Sequence, residues 1–157
     1  MKKYLLLAIA ALASLSALAV EGDMSIGAQF NYGSRNSMYG LGVQFQIEPV
    51  NHFRIAPEFI YYFEDGGYSA ANANLNFHYL ITSYSGFTIY PIAGFAYSHI
   101  KHDHGTYETN KDRYGANVGC GTEYSINKDF KFYVEERFQI LKDWNQSVTT
   151  LGLKYTF

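Results

Sequence analysis

Apolar and polar side chains alternate along this chain in eight successive segments, and this alternation limits the fold more than any other feature of the sequence. In "ANANLNFHY", which begins at Ala71, every second residue is apolar and each residue between is Asn or His. A strand places successive side chains on opposite faces, whereas a helix repeats about every 3.6 residues. No helical pattern follows the first 23 residues. The sequence therefore predicts an all-β fold.

The connections between the segments alternate between short and long. "PVNH", "TSYSG" and "NKD" are short, whereas "GSRNS", "EDGGYS", "HIKHDHGTYETNKD" and "LKDWNQ" are longer and polar. Short turns at one end and longer loops at the other indicate an antiparallel up-and-down meander of eight strands, and such a meander can close into a transmembrane barrel. Pro57 and Pro91 lie inside segments and lack a ladder donor, so we expect a β-bulge at each.

Aromatic residues on the apolar face concentrate near both ends of the segments, and aliphatic residues lie between them. Two aromatic levels around an aliphatic belt are typical of a barrel that crosses a bilayer, because Tyr and Phe favour the lipid–water interfaces. The strands of a soluble barrel around a ligand also alternate between apolar and polar residues. Such a barrel does not require aromatic residues at both ends of its strands and aliphatic residues between them. The apolar face is therefore predicted to contact lipid. Since Glu136 would fall on this face in an unbroken register, we expect either a bulge at Glu135–Glu136 or a position of Glu136 away from the bilayer midplane.

The opposite face carries equal numbers of positive and negative charges, and they are predicted to form a paired network inside the barrel. The cations are Arg54, Lys131, Arg137 and Lys154, and the anions are Glu58, Glu64, Glu123 and Glu135. Eight strands leave room only for side chains, and inward glycines on segments one, two and six make space for the longest of them. We therefore expect a filled interior, with Ile60 and Tyr62 in a small apolar cluster.

The N-terminus has the pattern of a cleaved secretory signal peptide over residues 1–19. Two lysines precede an apolar run, and Ala-Leu-Ala at 17–19 is a small-x-small cleavage pattern. The remaining residues, 20–157, form one predicted barrel domain. Without the two lysines its formal charge is 10 − 14 = −4, and no basic stripe indicates a nucleic-acid partner. The single cysteine, Cys120, cannot form a disulfide within the chain and is predicted to be a small side chain facing lipid.

The C-terminus follows the pattern polar-x-Gly-x-x-aromatic-x-hydrophobic through Thr150, Gly152, Tyr155 and Phe157. This pattern resembles the C-terminal signal that the barrel-assembly machinery recognises in outer-membrane proteins. A last strand that merely alternates is the alternative interpretation.

Four segments, "HFRIAPEFIYYF", "LNFHYLI", "YPIAGFAYS" and "YGANVGCGTEY", are similar to small outer-membrane β-barrels of Bacteroidota. The chain from Gly22 to Phe157 thus resembles the "porin family" of outer-membrane β-barrel domains, related to the opacity-type and adhesin-type barrels. The resemblance implies an eight-stranded antiparallel up-and-down transmembrane barrel in the outer membrane of a Gram-negative bacterium, with short periplasmic turns, longer extracellular loops and no cofactor. It specifies a fold far better than an activity.

Three histidines, His99, His102 and His104, lie close together in the longest predicted loop. Imidazoles at this spacing could bind Zn²⁺ or Cu²⁺, but we favour the interpretation that they belong to a solvated polar loop. No Ser-His-Asp or paired-carboxylate arrangement indicates an enzyme.

The sequence favours a non-enzymatic barrel with a structural or surface-interaction function through its extracellular loops. A narrow channel for small solutes and a soluble periplasmic calyx remain as alternatives. The expected partners are outer-membrane lipid, the assembly machinery during biogenesis, and a host or envelope partner at the loops. The chain itself is expected to be a monomer.

Overall fold

The computed structural model describes the backbone of residues 23–65, 68–82, 85–103 and 108–157, and their side chains apart from those of 36, 64, 65, 82, 102, 103 and 108–110. The strands are β1 (Met24–Gly33), β2 (Met38–Val50), β3 (Phe53–Asp65), β4 (Tyr68–Tyr79), β5 (Phe87–Asp103), β6 (Glu108–Ser125), β7 (Phe130–Leu141) and β8 (Gln146–Thr156). The short stretch Ile81–Thr82 continues β4 after Leu80, and one 3₁₀ turn, Arg35–Ser37, joins β1 to β2. None of the described helices is long and apolar enough to cross a bilayer.

Each strand pairs antiparallel with the next one along the chain, and β8 pairs with β1, so the sheet closes on itself. The predicted eight-stranded up-and-down barrel is confirmed. We call the end with the connections 51–52, 83–86 and 126–129 the turn end, and the opposite end the loop end. The two-residue connection between Val50 and Phe53 contains His52 in a left-handed conformation with φ of 69°. The predicted signal peptide, residues 1–19, lies outside the described residues and stays a prediction.

The side chains alternate between the barrel interior and its outer surface, as a period of two requires. Large apolar side chains such as Leu41, Phe95 and Val118 are exposed on the outside, by 56%, 67% and 54%. Aromatic rings meet on neighbouring strands at both levels, for example Phe130 with Tyr155 at the turn end, where the ring centroids are 5.2 Å apart. The predicted outward direction of the apolar face is confirmed.

The predicted long loop over residues 99–112 is wrong, because most of it continues the strands. β5 has 17 residues and β6 has 18, and they pair from Phe87↔Tyr124 up to Asp103↔Glu108. The ladder satisfies the backbone donors and acceptors, and polar side chains are tolerated here because this part lies beyond the aromatic level at the loop end. Only residues 104–107 separate the two strands, and they are outside the described residues.

The bulges expected at Pro57 and Pro91 are also absent from the described ladders. Pro57 lies between the pairs Gln44↔Glu58 and Ile47↔Ile55, which share one register, so the missing donor only interrupts the pairing with β2. Pro91 lies opposite Tyr79, beside the interruption of β4 at Leu80, and the register is again the same on both sides. The β2–β3 register shifts instead between Ile47 and Val50.

The interior has a polar centre between two apolar clusters. The cluster at the loop end contains Met38, Ile60, Tyr62, Ala70, Ala96, Ile100, Leu141 and Trp144. The smaller cluster consists of Leu80, Tyr90 and Ile92. The predicted internal packing of Ile60 and Tyr62 is confirmed, and Trp144 folds inward over them from the connection between β7 and β8.

Candidate functional site

The polar centre contains two groups of charged side chains, and the one nearer the turn end is built around the buried Arg54. The guanidinium donates to Glu123 at 2.8 and 3.1 Å and to Glu48 at 2.7 and 3.0 Å. Lys154 donates to Glu123 at 2.6 Å, and Lys131 lies 3.8 Å from the same carboxylate. We call this group, three cations and two anions, the turn-side cluster.

The second group, nearer the loop end, is centred on Arg137, whose side chain is fully buried. Arg137 forms an ion pair with Glu58 and lies 3.8 Å from Glu135. Asn74 and Gln29 donate to the two oxygens of Glu58 at 2.8 and 3.0 Å. We call this group, one cation and two anions, the loop-side cluster.

Two glutamines on β2 connect the clusters. Lys154 of the turn-side cluster donates to Gln46 at 2.6 Å, and Gln46 in turn donates to Gln44. The Gln44 amide then donates to Glu58 at 3.3 Å and to Glu135 at 3.5 Å. The turn-side cluster has one more cation than anions, and the loop-side cluster has one more anion than cations. Together they hold four cations and four anions, and the two glutamine amides join them by hydrogen bonds. A buried charge without such compensation would cost several kcal/mol.

Glycines provide the space for the largest aromatic side chains of the interior. A Cβ at Gly121 would overlap the Tyr90 ring, and a Cβ at Gly152 would overlap the Tyr133 ring. Tyr90 thereby reaches Glu135 at 3.1 Å, and Tyr133 reaches Gln29 at 2.9 Å. The interior is filled by these side chains.

The structure thus brings together seven of the eight residues that the sequence predicted for the interior network: Arg54, Glu58, Glu123, Lys131, Glu135, Arg137 and Lys154. The eighth, Glu64, has its side chain outside the described residues. Sequence reasoning missed Glu48, because the turn after the second segment was placed too early. Extending the alternation of Gln44 and Gln46 by two residues would have identified it.

Glu136 is not displaced by a bulge, which corrects the first of the two expectations from the sequence. The β6–β7 and β7–β8 registers are continuous at Cys120↔Glu136 and Glu136↔Thr149, and the carboxylate lies on the outer surface. Two hydroxyl groups on β8 satisfy the carboxylate with hydrogen bonds. Thr149 donates to Glu136 at 2.6 Å, and Ser147 donates to its other oxygen. Cys120 is exposed on the same face.

The four residues of the predicted C-terminal signal divide between the two faces of β8. Thr150 is buried, accepts from Arg137 at 3.1 Å and donates to Asn31 at 2.7 Å. Gly152 is buried against Tyr133. Tyr155 and Phe157 are exposed on the outer surface at the turn end.

Of the three histidines in the predicted cluster, only His99 has a side chain among the described residues. His99 lies in β5, and its Nδ1 is 2.6 Å from Asp112, which also accepts from Tyr97 at 2.9 Å. These hydrogen bonds lower the pKa of the Asp112 carboxyl, which lies beyond the aromatic level at the loop end. The side chain of His102 and all of His104 lie outside the described residues. Among the side chains that are described, no three His, Cys, Asp or Glu residues are grouped closely enough to hold a metal ion.

Comparison with known proteins identifies the fold and not a family. No family model matches the chain, and no curated protein sequence matches it. Among solved structures, the N-terminal β-barrel domain of OprF from Pseudomonas aeruginosa is similar with a TM-score of 0.73 at 18% identity, over 87% of this chain and 100% of that one.

Two further structures have the same fold. Ail, the attachment invasion locus protein of Yersinia pestis, has a TM-score of 0.65 at 14% identity, over 87% of this chain and 97% of that one. The outer membrane protein OprG from Pseudomonas aeruginosa has a TM-score of 0.60 at 14% identity, over 87% and 96%. The chain is therefore a closed, eight-stranded, antiparallel β-barrel with the fold of outer-membrane barrels.

Proposed function

We propose that this chain is a non-enzymatic, monomeric protein of the outer membrane of a Gram-negative bacterium, and that it acts by contacting partners outside the cell through its loop end. The observation that carries the proposal is the length of β5 and β6. β5 continues to Asp103 and β6 begins at Glu108, whereas β7 ends at Leu141, whose partner on β6 is Gly115. The hairpin of β5 and β6, accompanied by β4 as far as Tyr68↔His102, thus extends beyond the end of β7.

The exposed belt of apolar side chains supports the membrane location. Side chains such as Leu41 and Val118 are more than half exposed, and lipid is the environment in which such a surface is stable. A soluble calyx would need its apolar face inside, and here the centre of the interior is polar and charged while the apolar face of the strands is outside.

The filled interior favours a surface role over a channel. Arg54, Tyr90, Tyr133 and Arg137 are fully buried side chains that occupy the barrel centre. We expect no appreciable conductance in planar bilayers, and single-channel steps from the purified protein would favour the narrow channel instead. A barrel of this fold, Ail, has been solved with the heparin analogue sucrose octasulfate, which is consistent with ligand binding by such barrels.

Cysteine labelling tests the location and the orientation together. In a Cys120→Ala background, Lys101→Cys places a thiol on the hairpin, and Lys128→Cys places one at the turn end. A membrane-impermeant maleimide should label the Lys101→Cys variant in intact cells and the Lys128→Cys variant only after lysis. Labelling of Lys128→Cys in intact cells would contradict the proposed orientation.

Export and assembly form the second part of the proposal, with removal of residues 1–19 and recognition of the last strand by the barrel-assembly machinery. The Phe157 side chain is 63% exposed, so Phe157→Ala should change the unfolding midpoint in detergent little, by less than the roughly 1.5–3 kcal/mol of a fully buried aromatic. In cells the same variant should reduce the amount of surface-exposed barrel severalfold. Phe132→Ala, also on the outer surface, is the matched control. Equal surface levels of both variants would leave Phe157 without a role in assembly.

A further inference from the structure

The projecting hairpin has an open strand edge. β6 pairs with β5 along its whole length, but its pairing with β7 begins only at Gly115↔Leu141. The other edge of the hairpin is covered, because β5 pairs with β4 as far as Tyr68↔His102. Within the described part of the chain, the backbone from Glu108 to Tyr114 is therefore unpaired on the side where β7 has ended. Such an edge is free to pair with another extended chain.

A groove runs beside this edge. Its lining consists of Lys111, Asp112, Arg113, Lys142 and Asp143, and its volume is about 370 Å³. The edge of β6 forms one wall, and the connection that leaves β7 forms the other.

Contacts with Arg113 and Trp144 hold the second wall in place. The Arg113 guanidinium donates to the carbonyl oxygen of Lys142 and lies 3.8 Å from the Asp143 carboxylate. Trp144 is only 8% exposed, and the guanidinium groups of Arg35 and Arg113 lie 4.5 and 5.8 Å from its ring centroid. The wall is anchored to the apolar cluster of the barrel mouth, so the groove exists before a ligand binds.

The charges of the groove favour an acidic occupant. Asp112 accepts hydrogen bonds from His99 and Tyr97 on the outer face of the hairpin, and Asp143 lies beside Arg113. Lys111 and Lys142 are exposed, and neither has an ion-pair partner among the described side chains. Two uncompensated cations thus border an edge of free backbone groups.

We propose that this groove binds an extended acidic peptide segment of a partner protein, which adds a strand to the open edge of β6 and places carboxylates beside Lys111 and Lys142. Backbone hydrogen bonds hold the segment, and the two lysines select for its charge. A second copy of this chain fits poorly, because two such edges would bring Lys111 and Arg113 of both copies together. The inference rests on the proposed function, since the hairpin must be outside the cell to meet such a partner.

The first test measures binding of a short fluorescein-labelled peptide of alternating Glu and Val to the refolded full-length barrel in detergent, by fluorescence anisotropy. The double variant Lys111→Glu/Lys142→Glu should weaken binding by at least about fivefold. The matched control Lys101→Glu/Lys128→Glu makes the same change in net charge away from the groove and should bind normally. Equal affinities of the two double variants would overturn the assignment of the groove.

The second test separates strand addition from attraction between charges. Two analogues of the peptide carry N-methyl groups at its odd or at its even amides, and their charge is unchanged. Because an added strand uses alternate amides for pairing, one analogue should lose binding while the other keeps it. Undiminished binding of both analogues would overturn strand addition. Neither result alters the cysteine labelling of the hairpin in cells, so failure of the groove and failure of the proposed surface location are distinguishable.

Discussion

The barrel interior and the projecting hairpin use the same charged residue types under opposite conditions. Inside, the Glu58 carboxylate accepts from Arg137, Asn74, Gln29 and Gln44, and the side chain is fully buried. On the hairpin, Asp112 accepts from two donors but remains exposed to solvent. Buried charges are costly to leave unpaired, whereas exposed charges exchange protein partners for water at little cost. The interior charges are therefore suited to hold one structure, and the hairpin charges are suited to exchange partners.

The largest expected effect comes from removing the central cation of the interior. Arg137→Met should lower the free energy of unfolding by about 3–5 kcal/mol, because Glu58 and Glu135 lose their buried counter-charge. Urea unfolding of the refolded protein in detergent measures this. Lys101→Met on the hairpin is the control and should change the free energy by less than about 0.5 kcal/mol. Similar urea unfolding midpoints for both variants would contradict the proposed difference between the interior charges and the hairpin charges.

Two carboxylates on opposite faces of the barrel wall give a second comparison. Glu58→Gln should cost about 1–3 kcal/mol, since its new amide donor would face the donors of Gln29 and Gln44. Glu136→Gln should lie within about 0.5 kcal/mol of the wild type, because the hydroxyls of Ser147 and Thr149 can rotate to accept from an amide. The same unfolding measurement decides this, and a larger loss for Glu136→Gln would contradict it.

Packing in the interior gives a third test. Gly121→Ala should destabilise the barrel by about 1–3 kcal/mol, because the added methyl group overlaps the Tyr90 ring. Tyr90→Leu in the same chain should recover part of this loss, so the two substitutions should not be additive. Strict additivity in the double-mutant cycle would show that Tyr90 does not fill the space beside Gly121.

The smallest expected effect is a change in the stability of the hairpin with pH. The pKa of Asp112 is lowered by its hydrogen bonds with His99 and Tyr97, so the carboxylate supports the folded hairpin above the ordinary Asp range. This support should be lost as the pH falls below about 4, through the lowered pKa. Amide hydrogen-exchange protection along β5 and β6, taken relative to the intrinsic exchange rate at each pH, should fall there in the wild type, whereas Asp112→Asn should show the lower protection at all pH values. An unchanged pH profile in the variant would assign the effect to another group.

The strand count, the lipid-facing surface and most of the interior charges could be predicted from the sequence, because each depends on the period of two. Once Leu75 faces outward, Asn74 and Asn76 must face inward. The same logic placed Arg54, Arg137 and Lys154 in the interior. It failed at Glu48, where the end of a strand was misjudged, and at residues 99–112, where a polar composition suggested a loop although the ladder continues in water.

The sequence by itself determined which face of each strand is apolar, since alternation is a local property of the chain. Only the tertiary structure decided which partners meet across the barrel. The connection from Lys154 through Gln46 and Gln44 to Glu58 joins residues on three strands, and the open edge of β6 exists because β7 ends at Leu141 while β6 continues to Glu108. Both depend on strand register and on barrel closure, which arise from pairing between segments distant in the chain.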